Sequence, residues 1–347
     1  MPAWLRGFVP ALLLALAAAL LCVQLDTPLP WMIGPLFSTA VACMLGARLF
    51  TPVRARETGQ WVVGTTLGLY FSAPVLAVLA RYAGWIALAV AFAVALGIAG
   101  GVLLRRLSGT DPVTAFFAMS VGGANEMAVQ GERHGAVVER VAAAHGLRLM
   151  IVVGTIPFGL RWWSTHGSAP GQDLFVPLAG TIHYPGLALL MLLTGAGALL
   201  LKRLRLPNAW VIGPLLVALV LTASGIQLSR LPEWAIRGGQ LLLGVALGTR
   251  FTAAFVHTAP RYLASVALCT VAMLLLAGGF AAILAAGTGI HPGTAILASS
   301  PGGIAEMSLT ARVLHLGVPI VTAFHVTRMV TVVLTIGPLY RLWARLR

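Results

Sequence analysis

Charge is what this chain lacks most. Only 9% of its 347 residues are charged, against about 25% in an ordinary soluble domain. With 59% hydrophobic residues and a mean hydropathy of +0.93, it cannot cover a water-facing surface. That excludes a soluble enzyme or binding module and leaves an all-α polytopic membrane protein. Cysteine is also scarce. Cys22, Cys43 and Cys269 all lie in apolar runs, which excludes a disulfide framework and reads as packing. Acidic residues number 9, leaving a net charge of +14. Such an excess can mark a nucleic-acid binder. Here the basic residues stand singly or in short clusters between apolar runs, as topology-setting charges do. No basic face or reading motif accompanies them. The lipid bilayer is therefore the expected environment, and nucleic acid is not an expected partner.

What the chain does have is repetition. Ser120-Val121-Gly122-Gly123-Ala124-Asn125-Glu126-Met127 returns as Ser300-Pro301-Gly302-Gly303-Ile304-Ala305-Glu306-Met307, an offset of 180 residues (306 − 126). Around this pair the two halves keep nearly the same register. Leu29-Pro30-Trp31-Met32-Ile33-Gly34-Pro35-Leu36 answers to Leu206-Pro207-Asn208-Ala209-Trp210-Val211-Ile212-Gly213-Pro214-Leu215. Gln60-x-x-x-Gly64-x-x-x-Gly68 answers to Gln240-x-x-x-Gly244-x-x-x-Gly248. The division that follows is a first membrane repeat over 1–163, a linker over 164–184 and a second repeat over 185–347. Arg6 and the apolar run behind it resemble a signal peptide. The matching run in the second half is internal, so Val9–Leu25 reads as the first transmembrane helix.

Each repeated motif carries a physical expectation. Proline interrupts a helical hydrogen-bond ladder, so helix breaks are expected at Gly34-Pro35 and Gly213-Pro214 within spans Trp31–Phe50 and Trp210–Ile226. Small residues four apart make the Gly64/Gly68 and Gly244/Gly248 rows a helix-packing seam. Gln60 and Gln240 lie beside it and offer an amide to a neighbour or a solute. The glycine pairs weaken a helix by about 1 kcal/mol per residue, so Pro112–Gln130 and Pro292–Thr310 are expected to be re-entrant or broken helices. Behind each comes His-x-x-Arg, His145 with Arg148 and His325 with Arg328, on one helix face. Those arginines are flanked by apolar residues and should face the protein interior.

If each glycine-pair segment enters and leaves on one side, each half has about five crossings. An odd number inverts the second half, giving two inverted repeats, a common plan in secondary transporters. With both termini cytoplasmic, 15 basic residues fall on the inner side and 5 on the outer. That is the bias expected of a bacterial-type inner membrane.

The candidate binding residues are Gly122, Gly123, Asn125, Glu126, His145, Arg148, Gly302, Gly303, Glu306, His325 and Arg328. Half-helices starting after the glycine pairs would aim N–H groups at an anion. The arginines suit a carboxylate or phosphate, and the glutamates or histidines suit a proton or coupling ion. A plainer alternative stands beside this one, in which Glu126 pairs with Arg148 and Glu306 with Arg328 as buried pins.

These paired motifs, in this order over nearly the whole chain, resemble the AbrB-type membrane protein family with internal duplication. That family is often labelled ammonia monooxygenase or regulator of gene expression. A monooxygenase would need a redox metal site, and no spaced ligand set is visible. No cofactor or metal is expected, and no stretch is large enough for a DNA-binding module. The expectation is a secondary transporter of a small, anionic solute. A membrane sensor that affects gene expression indirectly is the rival, and self-assembly into a homo-oligomer stays open.

Overall fold

The computed structural model describes residues 3–166, 182–251 and 260–345. Within them the chain is all-helical, without a strand. The elements are α1 (Ala3–Gln24), α2 (Pro30–Met44), α3 (Val53–Gly68), α4 (Ala73–Arg81), α5 (Ala83–Ser108), α6 (Pro112–Met119), α7 (Ala124–Arg133) and α8 (Val138–His166). Then come α9 (Tyr184–Arg203), α10 (Ala209–Ala223), α11 (Glu233–Gly248), α12 (Pro260–Thr288), α13 (Pro292–Ser299), α14 (Ile304–Val313) and α15 (Val318–Arg345). Most of the expected linker, residues 167–181, lies outside the described residues.

Among the described residues, six helices are long and apolar enough to cross a membrane: α1, α5, α8, α9, α12 and α15. Their outward positions carry large apolar side chains, such as Leu13 (64% exposed), Leu192 (69%) and Leu275 (72%). Rows of such residues are stable against lipid and unfavourable against water. α3 and α4 form a bent pair, turned by 85°. α2 and α10 have 15 residues each. That is about 22 Å of helix, short of a hydrocarbon core of about 30 Å.

The chain divides into two compact units, and each draws on both sequence halves. Unit 1 comprises Met1–Val78, Pro157–Thr258 and Ser308–Pro319. In it α2 packs on α1 and α11, α10 packs on α9 and α3, and α3 meets α11. The glycine rows set these contacts. A Cβ on Gly244 would lie 2.5 Å from the Met32 carbonyl oxygen, and one on Gly64 would strike the Val211 carbonyl. Such approach distances require glycine, so the rows are packing seams, as small-residue spacing suggests. The first-half seam packs on the second-half α10, and the second-half seam on α2.

The expected breaks at Gly34-Pro35 and Gly213-Pro214 are corrected here. α2 and α10 run through both prolines without interruption. The glycines serve contact instead: a Cβ on Gly34 would meet the Ala18 oxygen at 2.7 Å, and one on Gly213 the Gly197 oxygen at 2.6 Å. The chain turns just upstream, at Leu29 (φ 52°) and Asn208 (φ 51°), both left-handed residues ahead of a helix. Pro30 then opens α2 at a position that tolerates a missing N–H.

Unit 2 comprises Leu79–Ile156, Ala259–Met307 and Ile320–Arg347. α5 packs on α6 and α12, and α12 on α13. Phe92 and Phe280 stack face to face at 4.3 Å between α5 and α12. Phe116, Phe117, His134 and Tyr340 form a second aromatic cluster. The short helices start on strong caps. Asp111 accepts the Thr114 N–H at 2.8 Å, and His291 Nδ1 accepts the Gly293 N–H at 3.1 Å, each with proline at the next position.

Candidate functional site

The glycine pairs do break their helices. α6 ends at Met119 and α7 begins at Ala124; α13 ends at Ser299 and α14 begins at Ile304. Both breaks lie in unit 2, although α14 continues past its boundary at Met307. None of the four glycines has a positive φ, so left-handed freedom is not what they supply. They supply room. A Cβ on Gly122 would lie 2.8 Å from Met127 Cε, and one on Gly302 would lie 2.7 Å from Met307 Cγ. A Cβ on Gly123 would collide with the Glu126 carboxylate, and one on Gly303 with that of Glu306. Each glutamate is the third residue of its helix and folds back over the residue before it. A capping-box carboxylate takes the same direction. The motif Gly-Gly-x-x-Glu-Met is thus one packed unit, the first glycine seating the methionine and the second the carboxylate.

The other side of each break is held by His-x-x-Arg. The final carbonyls of a helix have no intrahelical partner. Here Arg148 donates from Nη1 to the Ser120 oxygen at 3.0 Å and to the Met119 oxygen at 3.3 Å. Arg328 donates from Nη1 to the Ser300 oxygen and from Nη2 to the Gly302 oxygen, both at 2.6 Å. His145 Nε2 bonds the Phe117 oxygen at 3.0 Å, and His325 Nε2 bonds the Leu297 oxygen at 2.8 Å. Pro301 stands four residues after Leu297 and has no N–H to offer that carbonyl, which both the imidazole and Ser300 Oγ bond.

The arginines also fix the histidine tautomers. Arg148 Nη2 lies 2.9 Å from His145 Nδ1, and Arg328 Nη2 lies 2.8 Å from His325 Nδ1. A guanidinium only donates. Each Nδ1 is therefore an acceptor, and each Nε2 carries the proton it gives to the carbonyl. Both rings are neutral in this arrangement.

The electrostatic logic follows. A positive group sits at the carbonyl end of one half-helix and a carboxylate at the N–H end of the next, each opposing the local helix dipole. Both arginines bond carbonyls and imidazoles. Ion pairs among the described residues include Arg161 with Asp26, Lys202 with Glu57 and Arg312 with Glu233. Arg148, His145, Arg328 and His325 are buried.

The two copies differ where their residues differ. Glu306 is buried at 8% exposure, whereas Glu126 is half-buried and Asn125 is exposed. The serines were overlooked in the sequence. Ser120 Oγ donates to the Phe116 oxygen at 2.8 Å, and Ser300 Oγ to the Leu297 oxygen at 3.0 Å. Their place ahead of each glycine pair was the available signal. Tyr262 is buried and donates to the Arg140 oxygen at 2.9 Å.

Residues 31–344 match the family described as "Transition state regulatory protein AbrB". Two relatives are similar over nearly their full lengths. "Putative regulator AbrB" of Escherichia coli (strain K12) is 28% identical over 345 residues, covering 97% of this chain and 96% of the relative. "Uncharacterized protein YhjN" of Bacillus subtilis (strain 168) is 26% identical over 343 residues, covering 90% and 86%.

Proposed function

The chain belongs to the AbrB family, and from that premise we propose that it is a secondary transporter of a small anionic solute, with the two helix breaks as its site. One observation carries the reading. Two broken helices in one unit each present a buried arginine at one end and a glutamate at the other. Broken helices at membrane depth are tolerated where they line a cavity or are buried in protein, and transporters build midplane sites from such half-helix ends. The arginines attract the anion, and a glutamate that takes up a proton removes a competing negative charge. Asn125, which has no polar counterpart at Ala305, makes the first copy the more open to a solute.

In this proposal the two sequence halves are inverted repeats in a bacterial inner membrane, with both termini cytoplasmic. The shared register and the bias of 15 inner to 5 outer basic residues support that orientation. The partners are a small solute and the bilayer, not nucleic acid. The names of the family and of the Escherichia coli relative favour a second reading, a membrane sensor that binds the same solute and acts on gene expression indirectly.

The test is solute flux in proteoliposomes, with candidate anions first ranked by the thermal shift they give the purified protein. Glu126→Gln and Glu306→Gln should each abolish flux. Unchanged flux in both variants sinks the transport reading, and solute binding without flux in the unaltered protein replaces it with the sensor.

A further inference from the structure

Unit 1 holds a cavity of about 750 Å³. Its lining includes Leu29 and Trp31 at the start of α2, Glu233, Arg237 and Gln240 on α11, and Arg312 in the last turn of α14. The volume falls in the range of about 300–1,000 Å³ typical of small-molecule sites.

The internal repeat supplies a control for this cavity, because unit 1 contains both copies of its central pair. In one copy Gln60 Nε2 donates to Asn208 Oδ1 at 3.2 Å. Asn208 is the left-handed residue that precedes α10. In the other copy the residue preceding α2 is Leu29, with the same backbone conformation and no polar atom. Gln240, the counterpart of Gln60, lines the cavity at 4% exposure, and its neighbour at the start of α2 offers it no side-chain acceptor or donor of the kind Asn208 gives Gln60. In one copy the amide bonds a side chain of its own protein, and in the other it lines a cavity.

The charges of the cavity give the ligand its chemistry. Arg312 is held by Glu233 at 2.5 Å. Arg237 lies over the Trp31 ring, 5.9 Å from its centroid, and among the described residues it is in no ion pair. A guanidinium placed over an indole ring still has N–H donors to offer a planar, bidentate acceptor. A carboxylate has that shape. Trp31 and Leu29 offer apolar wall to the rest of the molecule, and Gln240 offers both a donor and an acceptor.

We propose that this cavity is a binding site for an organic carboxylate with an apolar body, gripped by Arg237 and completed by Gln240. Such a molecule comes either from the water, as a short or aromatic acid, or from the membrane, as a fatty acid. Titrating the purified full chain in detergent with benzoate and with decanoate, read by tryptophan fluorescence and calorimetry, tests the assignment. Saturable binding is expected for at least one probe. Benzoate alone identifies the aqueous source, and decanoate alone the membrane source. Arg237→Ala and the charge-keeping Arg237→Lys should each weaken binding at least tenfold. Leu29→Asn should do the same, by giving Gln240 the partner that Gln60 already has. Glu126→Gln and Glu306→Gln should leave it unchanged, which keeps this site distinct from the proposed transport site. No saturable binding of either probe, or affinities that none of the Arg237 and Leu29 variants alters, overturns the proposal.

Discussion

If the Glu306 carboxylate occupies the space of a Gly303 side chain, adding one methyl group there has a computable consequence. Gly303→Ala places its Cβ in collision with Glu306. The carboxylate must then leave the N-terminus of α14 or the backbone must shift. Overpacking of this kind costs about 1–3 kcal/mol. Loss of a carboxylate from a partly buried helix N-terminus adds about 0.3–2 kcal/mol. A cost of about 2–4 kcal/mol is therefore expected, large beside the total stability of about 5–15 kcal/mol usual for a folded chain. The decisive measurement is a double-mutant cycle with Glu306→Ala, followed by equilibrium unfolding in mixed micelles. Without the longer side chain the added methyl group meets nothing of consequence, so Gly303→Ala in that background should cost less than about 1 kcal/mol. The expected coupling is about 1–3 kcal/mol, the range for residues in direct contact. Additive costs, with coupling below about 0.5 kcal/mol, would refute the packed-motif account. The same cycle at Gly123 and Glu126 should give a smaller coupling, because Glu126 is only half-buried.

Arg328→Met removes two 2.6 Å bonds to the Ser300 and Gly302 carbonyls. Each buried carbonyl left without a partner costs about 1–3 kcal/mol, so thermal unfolding should show a loss of about 2–5 kcal/mol, with Arg328→Lys intermediate. A control comes from Gly278, inside α12 with nothing within 4 Å of an added Cβ. Gly278→Ala should stabilise by about 0.5–1 kcal/mol in the same assay.

The broken helices were legible because two signals coincide at 120–127 and 300–307: a glycine pair and a second copy of it. The reason for those glycines was not legible. Propensity explains why a helix can stop there, but only coordinates show that the vacant Cβ positions are filled by Glu126, Met127 and their counterparts. His-x-x-Arg was readable as an interior face. Its partners were hidden, because the acceptors are backbone carbonyls and every residue carries one. Pro301, four residues past Leu297, was the single written hint of an orphaned acceptor. The Gly34-Pro35 expectation failed for a related reason. Glycine beside proline reads as a break, whereas here the glycine answers to Ala18 on a neighbouring helix, and the turn falls at Leu29. The compact units were not visible at all. Sequence repeats divide the chain end to end, while packing joins equivalent helices across the repeat.

The bond between Gln60 and Asn208 bears on the divergence of the two repeats. Two identical chains related by a two-fold axis must present the same surroundings to each copy of a residue. A homodimer of the first half would set Leu29 before α2 twice, and a homodimer of the second would set Asn208 there twice. Either both amides would be satisfied or neither would. A diverged pair can satisfy one and leave the other facing a cavity, so divergence between the two repeats is what permits this molecule to differ at equivalent positions of its duplication.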